Sequence, residues 1–197
     1  MKQCVIYIHS KGGSANEAEH YKSLFPDFDV IGFDYQAQTP WEAKPEFVNF
    51  FAKIAVKYDK IVIIANSIGA FFAMHALDGK EISQAFFISP IVNMEDLIEN
   101  IIQWANVTEA ELQQKGIIPT EFGETLSWKY LNWVRNNRIN WNIPTHILYG
   151  SNDNLQSLED IEDFAVQIGA DVTVMEGGEH WFHTEEQMLF LDNWITI

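Results

Sequence analysis

The chain has 197 residues, enough for one domain with a well-buried core, and 47% of them are apolar, which excludes an intrinsically disordered protein. Twelve Lys and Arg stand against 28 Asp and Glu, a formal net charge of −16. Such a surface repels nucleic acid and anionic membranes and favours solubility, with a preference for cationic substrates as the second reading.

The first β-rich run is Cys4–Ile8. Its cysteine is the only one in the chain, so no internal disulfide can form, and a buried structural thiol fits better than a nucleophile. The run is too short for a signal peptide and ends at His9, and no apolar stretch reaches the roughly 18 residues of a membrane span. A soluble, cytoplasmic protein is expected. A glycine-rich loop follows, His9-Ser10-Lys11-Gly12-Gly13-Ser14, and the capping box Ser14…Glu17 opens the first helix. A second strand is expected at Val30–Asp34. Phe47, Phe50, Phe51, Ile54 and Tyr58 then recur at steps of three and four, one face of a helix. The third strand, Ile61–Ala65, is continuously apolar, the pattern of a strand covered on both faces. It runs into Asn66-Ser67-Ile68-Gly69-Ala70-Phe71-Phe72, a turn and a strongly apolar helix, before a fourth strand at Ala85–Ser89.

From Ile91 to about Trp141 the pattern holds no strand, only helical candidates at Met94–Asn106, Thr108–Gly116 and Glu124–Asn136. The interval reads as a helical insertion between the fourth and fifth strands. His146–Tyr149 and Val172–Met175 complete six strands, and Thr184…Gln187 caps the last helix. Alternating strands and helices predict a three-layer α/β sandwich around a mainly parallel sheet. Repeats, low-complexity tracts and linkers are lacking, so the insertion, about residues 91–141, belongs to the single domain 1–197.

Three segments carry chemistry. A strand leading into Ser67 and then a helix, with small residues Ala65 and Gly69 two positions to either side, is the context of a nucleophile elbow. The turn lifts the serine hydroxyl above the sheet, at a helix N-terminus where negative charge is favoured. Asp153 follows the fifth strand in Gly150-Ser151-Asn152-Asp153, and His180 follows the sixth in Gly177-Gly178-Glu179-His180. The order Ser67, Asp153, His180 puts a nucleophile, an orienting acid and a base at one sheet edge. His183 lies three residues on, beside the helix cap Thr184, and is read as part of helix entry. An oxyanion hole needs two N–H donors: Ile68, directly after the serine, and one from the loop after the first strand. Neither a full phosphate-binding loop nor a metal-ligand spacing is present, and no cofactor or metal is implied. His75 is read as a packed residue of the helix after Ser67, and the tryptophans of the insertion as packing residues or the lining of an acyl pocket.

The segments His9-Ser10-Lys11-Gly12-Gly13, Asn66-Ser67-Ile68-Gly69, Gly150-Ser151-Asn152-Asp153 and Gly178-Glu179-His180-Trp181-Phe182 together resemble the α/β-hydrolase superfamily, from the first strand to the last helix. The resemblance implies that Lys11 supplies the second oxyanion N–H, that the insertion is a cap over the site, and that six strands run in the order 2-1-3-4-5-6. The family's usual sheet has eight strands, and this chain begins where the third lies. Ser10 stands where the family usually has glycine, so a positive φ there would strain it. The expected activity is cleavage of a small carboxylic ester through an acyl-enzyme, with no nucleic-acid or membrane partner. Thioester hydrolysis with the same residues is the alternative, as is non-catalytic binding of a small molecule; an interaction protein is a third reading. Oligomeric state and the acyl and alcohol groups are left open.

Overall fold

Ile61-Val62-Ile63-Ile64 is β-branched at every position, stiff about χ1 and without a polar side, so it is stable as a strand only with both faces covered. In the computed structural model, which describes residues 2–195, it forms the core of β3 (Lys60–Asn66). Around it lie β1 (Gln3–Ile8), β2 (Asp29–Phe33), β4 (Gln84–Ile88), β7 (Thr145–Gly150) and β8 (Asp171–Met175). All pairings in this sheet are parallel, in the order β2-β1-β3-β4-β7-β8. The expected 2-1-3-4-5-6 thus becomes 2-1-3-4-7-8, because two short strands outside the sheet intervene in the chain. The register sets Ile8 beside Ala65, Asn66 beside Ile88, and Gly150 beside Met175. The carboxyl ends of the central strands are therefore level.

Two compact units make up the chain, one of residues 1–92 and 140–197, the other of residues 93–139. In the first, alternate strand residues face opposite layers. Val5, Tyr7, Val62, Ile64 and Phe86 pack with Tyr21 of α1 (Ala18–Tyr21) and Leu191 of α8 (Glu185–Trp194). On the other face α2 (Pro40–Ala55) and α3 (Ile68–Ala76) pack together. There Phe33 stacks on Phe50 at 4.0 Å, and Tyr35 meets both Phe47 and Phe72 edge-on or tilted. A further helix, α7 (Leu158–Ile168), connects β7 to β8. Helices on both faces of one parallel sheet give the expected three layers.

The second unit holds α4 (Met94–Trp104), α5 (Glu109–Lys115) and α6 (Trp128–Asn136) around Leu112, Leu126 and Leu131. Arg135 of α6 bridges Glu95 and Glu99 of α4 at 2.6 and 2.8 Å and Glu109 of α5 at 2.6 Å. It also carries strands that its sequence pattern does not suggest: β5 (Ile117–Pro119) and β6 (Thr125–Ser127) pair antiparallel. Gly116, with φ +76°, ends α5, and Gly123, with φ +89°, lies in the connection between the two strands. Three residues are too few to show a period of two, so the run that resembled a helix from Glu124 begins its helix only at Trp128. Among the described residues no helix is long and apolar enough to cross a membrane.

Candidate active site

Ser67 sits between β3 and α3 with φ 50° and ψ −121°, a conformation that costs a non-glycine residue about 1–3 kcal/mol. Neighbouring backbone over-determines it. The Ser67 N–H donates to Ile88 O at 3.0 Å, and its carbonyl accepts from Ala70 N–H at 3.1 Å and Ile91 N–H at 3.3 Å. Gly69 lets the helix start closely against β1: a Cβ there would lie 2.4 Å from His9 O.

The Ser67 Oγ lies 2.8 Å from His180 Nε2, and His180 Nδ1 lies 2.7 Å from Asp153 Oδ2. The Asp153 side chain is fully buried, whereas 15% of the His180 side chain remains exposed. Asp153 Oδ1 accepts from the N–H groups of Leu155 at 2.8 Å and Gln156 at 3.2 Å, so the carboxylate is an acceptor on both oxygens. With Oδ2 accepting from Nδ1–H, the ring presents a bare Nε2 to the serine hydroxyl. Gln156 is a buried residue that the sequence alone did not single out. It accepts from Val92 N–H through Oε1 at 2.8 Å and from Tyr149 OH through its carbonyl at 2.9 Å, fixing the loop that carries Asp153.

The loops bearing Asp153 and His180 are stitched together. Asn152 N–H donates to Gly178 O at 2.8 Å, Ser151 N–H to Met175 O at 3.0 Å, and Gly177 N–H to Ser151 Oγ at 2.8 Å. Of the two glycines before His180, Gly177 takes a left-handed φ of +74°, and Gly178 gives close approach: a Cβ on Gly150 would lie 2.4 Å from the Gly178 backbone. His183 points elsewhere, its Nδ1 on Trp181 O at 2.7 Å and its N–H on Gln187 Oε1 at 3.0 Å, at the entry of α8.

After β1, Gly13 N–H donates to Ser10 O at 3.1 Å and Gly12 has φ +75°, the marks of a type II turn with Lys11 and Gly12 at its corners. Ser10 is not among the positive-φ residues, so the strain expected of a serine in this place does not arise; glycine takes the left-handed position two residues later. His9 O accepts from Tyr35 OH at 2.8 Å, which holds the start of the loop beside Gly69. Ile68 is the first residue of α3, where an N–H has no partner within the helix. Cys4 is fully buried, and burial, with Asp29 adding, pushes its thiol up to about 12. Among the described residues no group of three or more His, Cys, Asp and Glu could hold a metal.

No protein-family model matches the chain, and no curated protein does. Solved structures match over nearly all of its length. Alpha/beta hydrolase domain-containing protein 10 from mouse superposes with a TM-score of 0.74 at 17% identity, covering 97% of this chain and 87% of its own. The chain has the α/β-hydrolase fold. Est1E from Butyrivibrio proteoclasticus (TM-score 0.69, 16% identity, 98% of this chain and 86% of its own) shares it. So does the Pyrococcus furiosus esterase Pf2001 (TM-score 0.62, 20% identity, 98% and 78%). At such identities the α/β-hydrolase fold is what is common, and any chemistry resides in the particular side chains. In an α/β-hydrolase fold a sharp strand-to-helix turn follows the central strand. Ser67 occupies that turn.

Proposed function

We propose that the chain is a serine hydrolase that cleaves a small carboxylic ester through an acyl-enzyme. The observation that carries this reading is the continuous hydrogen-bonded chain from Ser67 Oγ through His180 to the buried Asp153, starting at a strained turn. Ser67 Oγ attacks the ester carbonyl while His180 Nε2 takes its proton. Asp153 holds the Nδ1–H tautomer and stabilises the imidazolium. The N–H groups of Ile68 and Lys11 stabilise the oxyanion, a contribution of roughly 3–4 kcal/mol for a donor of this kind. His180 returns the proton to the leaving alcohol, then draws one from water as hydroxide attacks the acyl-serine, and gives it to Ser67 Oγ as the adduct collapses and the acid leaves.

The test is labelling with a fluorophosphonate probe, which needs an activated serine and no knowledge of the substrate. The native chain is expected to label, and Ser67→Ala and His180→Ala are expected not to. A folded native chain that stays unlabelled overturns the reading in favour of a non-catalytic binding protein. Comparing an aryl ester with the matched thioester then separates ester from thioester hydrolysis.

A further inference from the structure

Three polar side chains outside this reaction join the loop after β1 to the nucleophile turn. Tyr7, on β1, is almost fully buried, and its hydroxyl donates to Glu17 Oε2. The same hydroxyl accepts from Asn66 Nδ2 at 2.9 Å, and Asn66 is bonded directly to Ser67. Glu17 uses its other oxygen, Oε1, to accept from Ser14 N–H at 2.8 Å, at the end of the turn that carries Lys11. That oxygen also lies 2.8 Å from where a Cβ on Gly13 would be, so the carboxylate is seated tightly against the loop. Burial first, with Tyr21 and the bond to Glu17 adding, raises the Tyr7 pKa far above that of a free phenol. The hydroxyl therefore keeps its proton and donates, and the bond to a carboxylate is of the stronger, charge-assisted kind.

We infer that Glu17, Tyr7 and Asn66 form a positioning relay that fixes the Lys11 turn relative to Ser67 and Ile68, so that two N–H donors from different segments converge on one oxyanion. The inference rests on the serine-hydrolase reading above. A capping carboxylate for a three-residue turn needs neither a buried tyrosine nor a link to β3. What the links add is a side-chain path between two loops that are far apart in sequence, each holding one of the proposed donors. Hydrogen-bonded donors aimed at the oxyanion act through their placement, and removing one outright lowers kcat by roughly 10²–10³. Loosening one should cost less.

One detail makes the relay sharply testable. Asn66 Oδ1 is buried and has no hydrogen-bond partner. In Glu17→Gln the new amide keeps an oxygen for Ser14 N–H and offers Nε2–H to the Tyr7 oxygen. Tyr7 then turns its own hydrogen to Asn66, whose amide rotates to present Oδ1. Glu17→Gln is thus expected to retain the path, whereas Glu17→Ala and Tyr7→Phe break it.

The experiment measures kcat and KM on 4-nitrophenyl acetate, and the fluorophosphonate labelling rate, for the full chain and these variants. Tyr7→Phe and Glu17→Ala are expected to lower kcat and the labelling rate about tenfold to a hundredfold with KM within about twofold, a fraction of the loss for a deleted donor. Glu17→Gln should stay within about threefold of native, and the double variant Tyr7→Phe/Glu17→Ala should be no worse than the worse single, as for members of one network. Faster hydrogen exchange at the Ser14 amide in Tyr7→Phe supplies a readout independent of turnover. Native kcat in both single variants, additive losses in the double variant, or a Glu17→Gln loss equal to that of Glu17→Ala each overturn the relay while leaving the hydrolase reading intact. A native chain that neither labels nor turns over overturns both.

Discussion

Gly69→Ala adds one methyl group at the tightest backbone contact of the Ser67 turn. The new Cβ would lie 2.4 Å from His9 O, 3.0 Å from Ile8 Cγ2 and 3.0 Å from Ile8 O. Ordinary contact begins near 3.4 Å, so the start of α3 and the end of β1 must separate by 3.4 − 2.4, about 1.0 Å. Two of the three obstacles are backbone, and His9 O is further held by Tyr35 OH at 2.8 Å, so a side-chain rotation cannot absorb the shift. A displacement of this size moves Ser67 off His180 and Ile68 away from the Lys11 turn. Misplacement by about 1 Å costs roughly 10² in rate. Stability changes far less: overpacking costs about 1–3 kcal/mol, and alanine regains up to about 1 kcal/mol over glycine inside a helix. The net loss, about 0–3 kcal/mol, corresponds to a fall in Tm of no more than about 12 °C in a chain of this size. The assay pairs the second-order rate of fluorophosphonate labelling with a thermal melt by circular dichroism. Labelling within about threefold of native in a folded Gly69→Ala chain would refute the reasoning, because close approach of α3 to β1 would then not set the position of Ser67.

Two further outcomes follow from the same structure. In Asp153→Asn the oxygen is retained by Leu155 and Gln156 N–H, so the amide NH₂ faces His180 Nδ1 and forces the proton onto Nε2; kcat is expected to fall about 10⁴-fold. Circular dichroism should stay native, and a loss under tenfold argues that Asp153 does not set the tautomer. Burial, with Lys44 adding, lowers the His75 pKa from 6.5 to about 4, so between those values the unfolded chain binds a proton that the folded chain does not. Stability attributable to this group is therefore present above pH 6.5 and is lost as pH falls towards 4, by an amount of order 2–3 kcal/mol. Urea unfolding should show His75→Phe losing less stability than native between pH 6.5 and 4.5, and parallel curves for the two chains would count against this assignment.

The sequence by itself determined the local decisions. Runs such as Ile61–Ile64 have no polar face, so they had to become strands covered on both sides, and the helical periods between them required parallel pairing. Ser67 was legible for the same reason: a strand, a serine flanked by small residues, and an apolar helix leave few conformations for the turn. The strands β5 and β6 were not legible, because three residues do not establish a period and their pairing depends on the turn at Gly123. Tertiary structure alone decided how the chemistry converges. Ser67 and His180 are 113 residues apart, and only the register of parallel strands brings their ends together. Gly178 is only one of a glycine pair in the sequence, yet in the fold it admits the Gly150 backbone. Glu17 read as a helix cap, which it is, but its second oxygen accepts a hydrogen bond from the Tyr7 hydroxyl, whose oxygen in turn accepts one from Asn66, 59 residues along the chain from Tyr7. Periodicity and capping report what a residue does to its own helix or strand, whereas hydrogen bonds between loops depend on the ångström-level spacing of strands that meet only when the sheet closes.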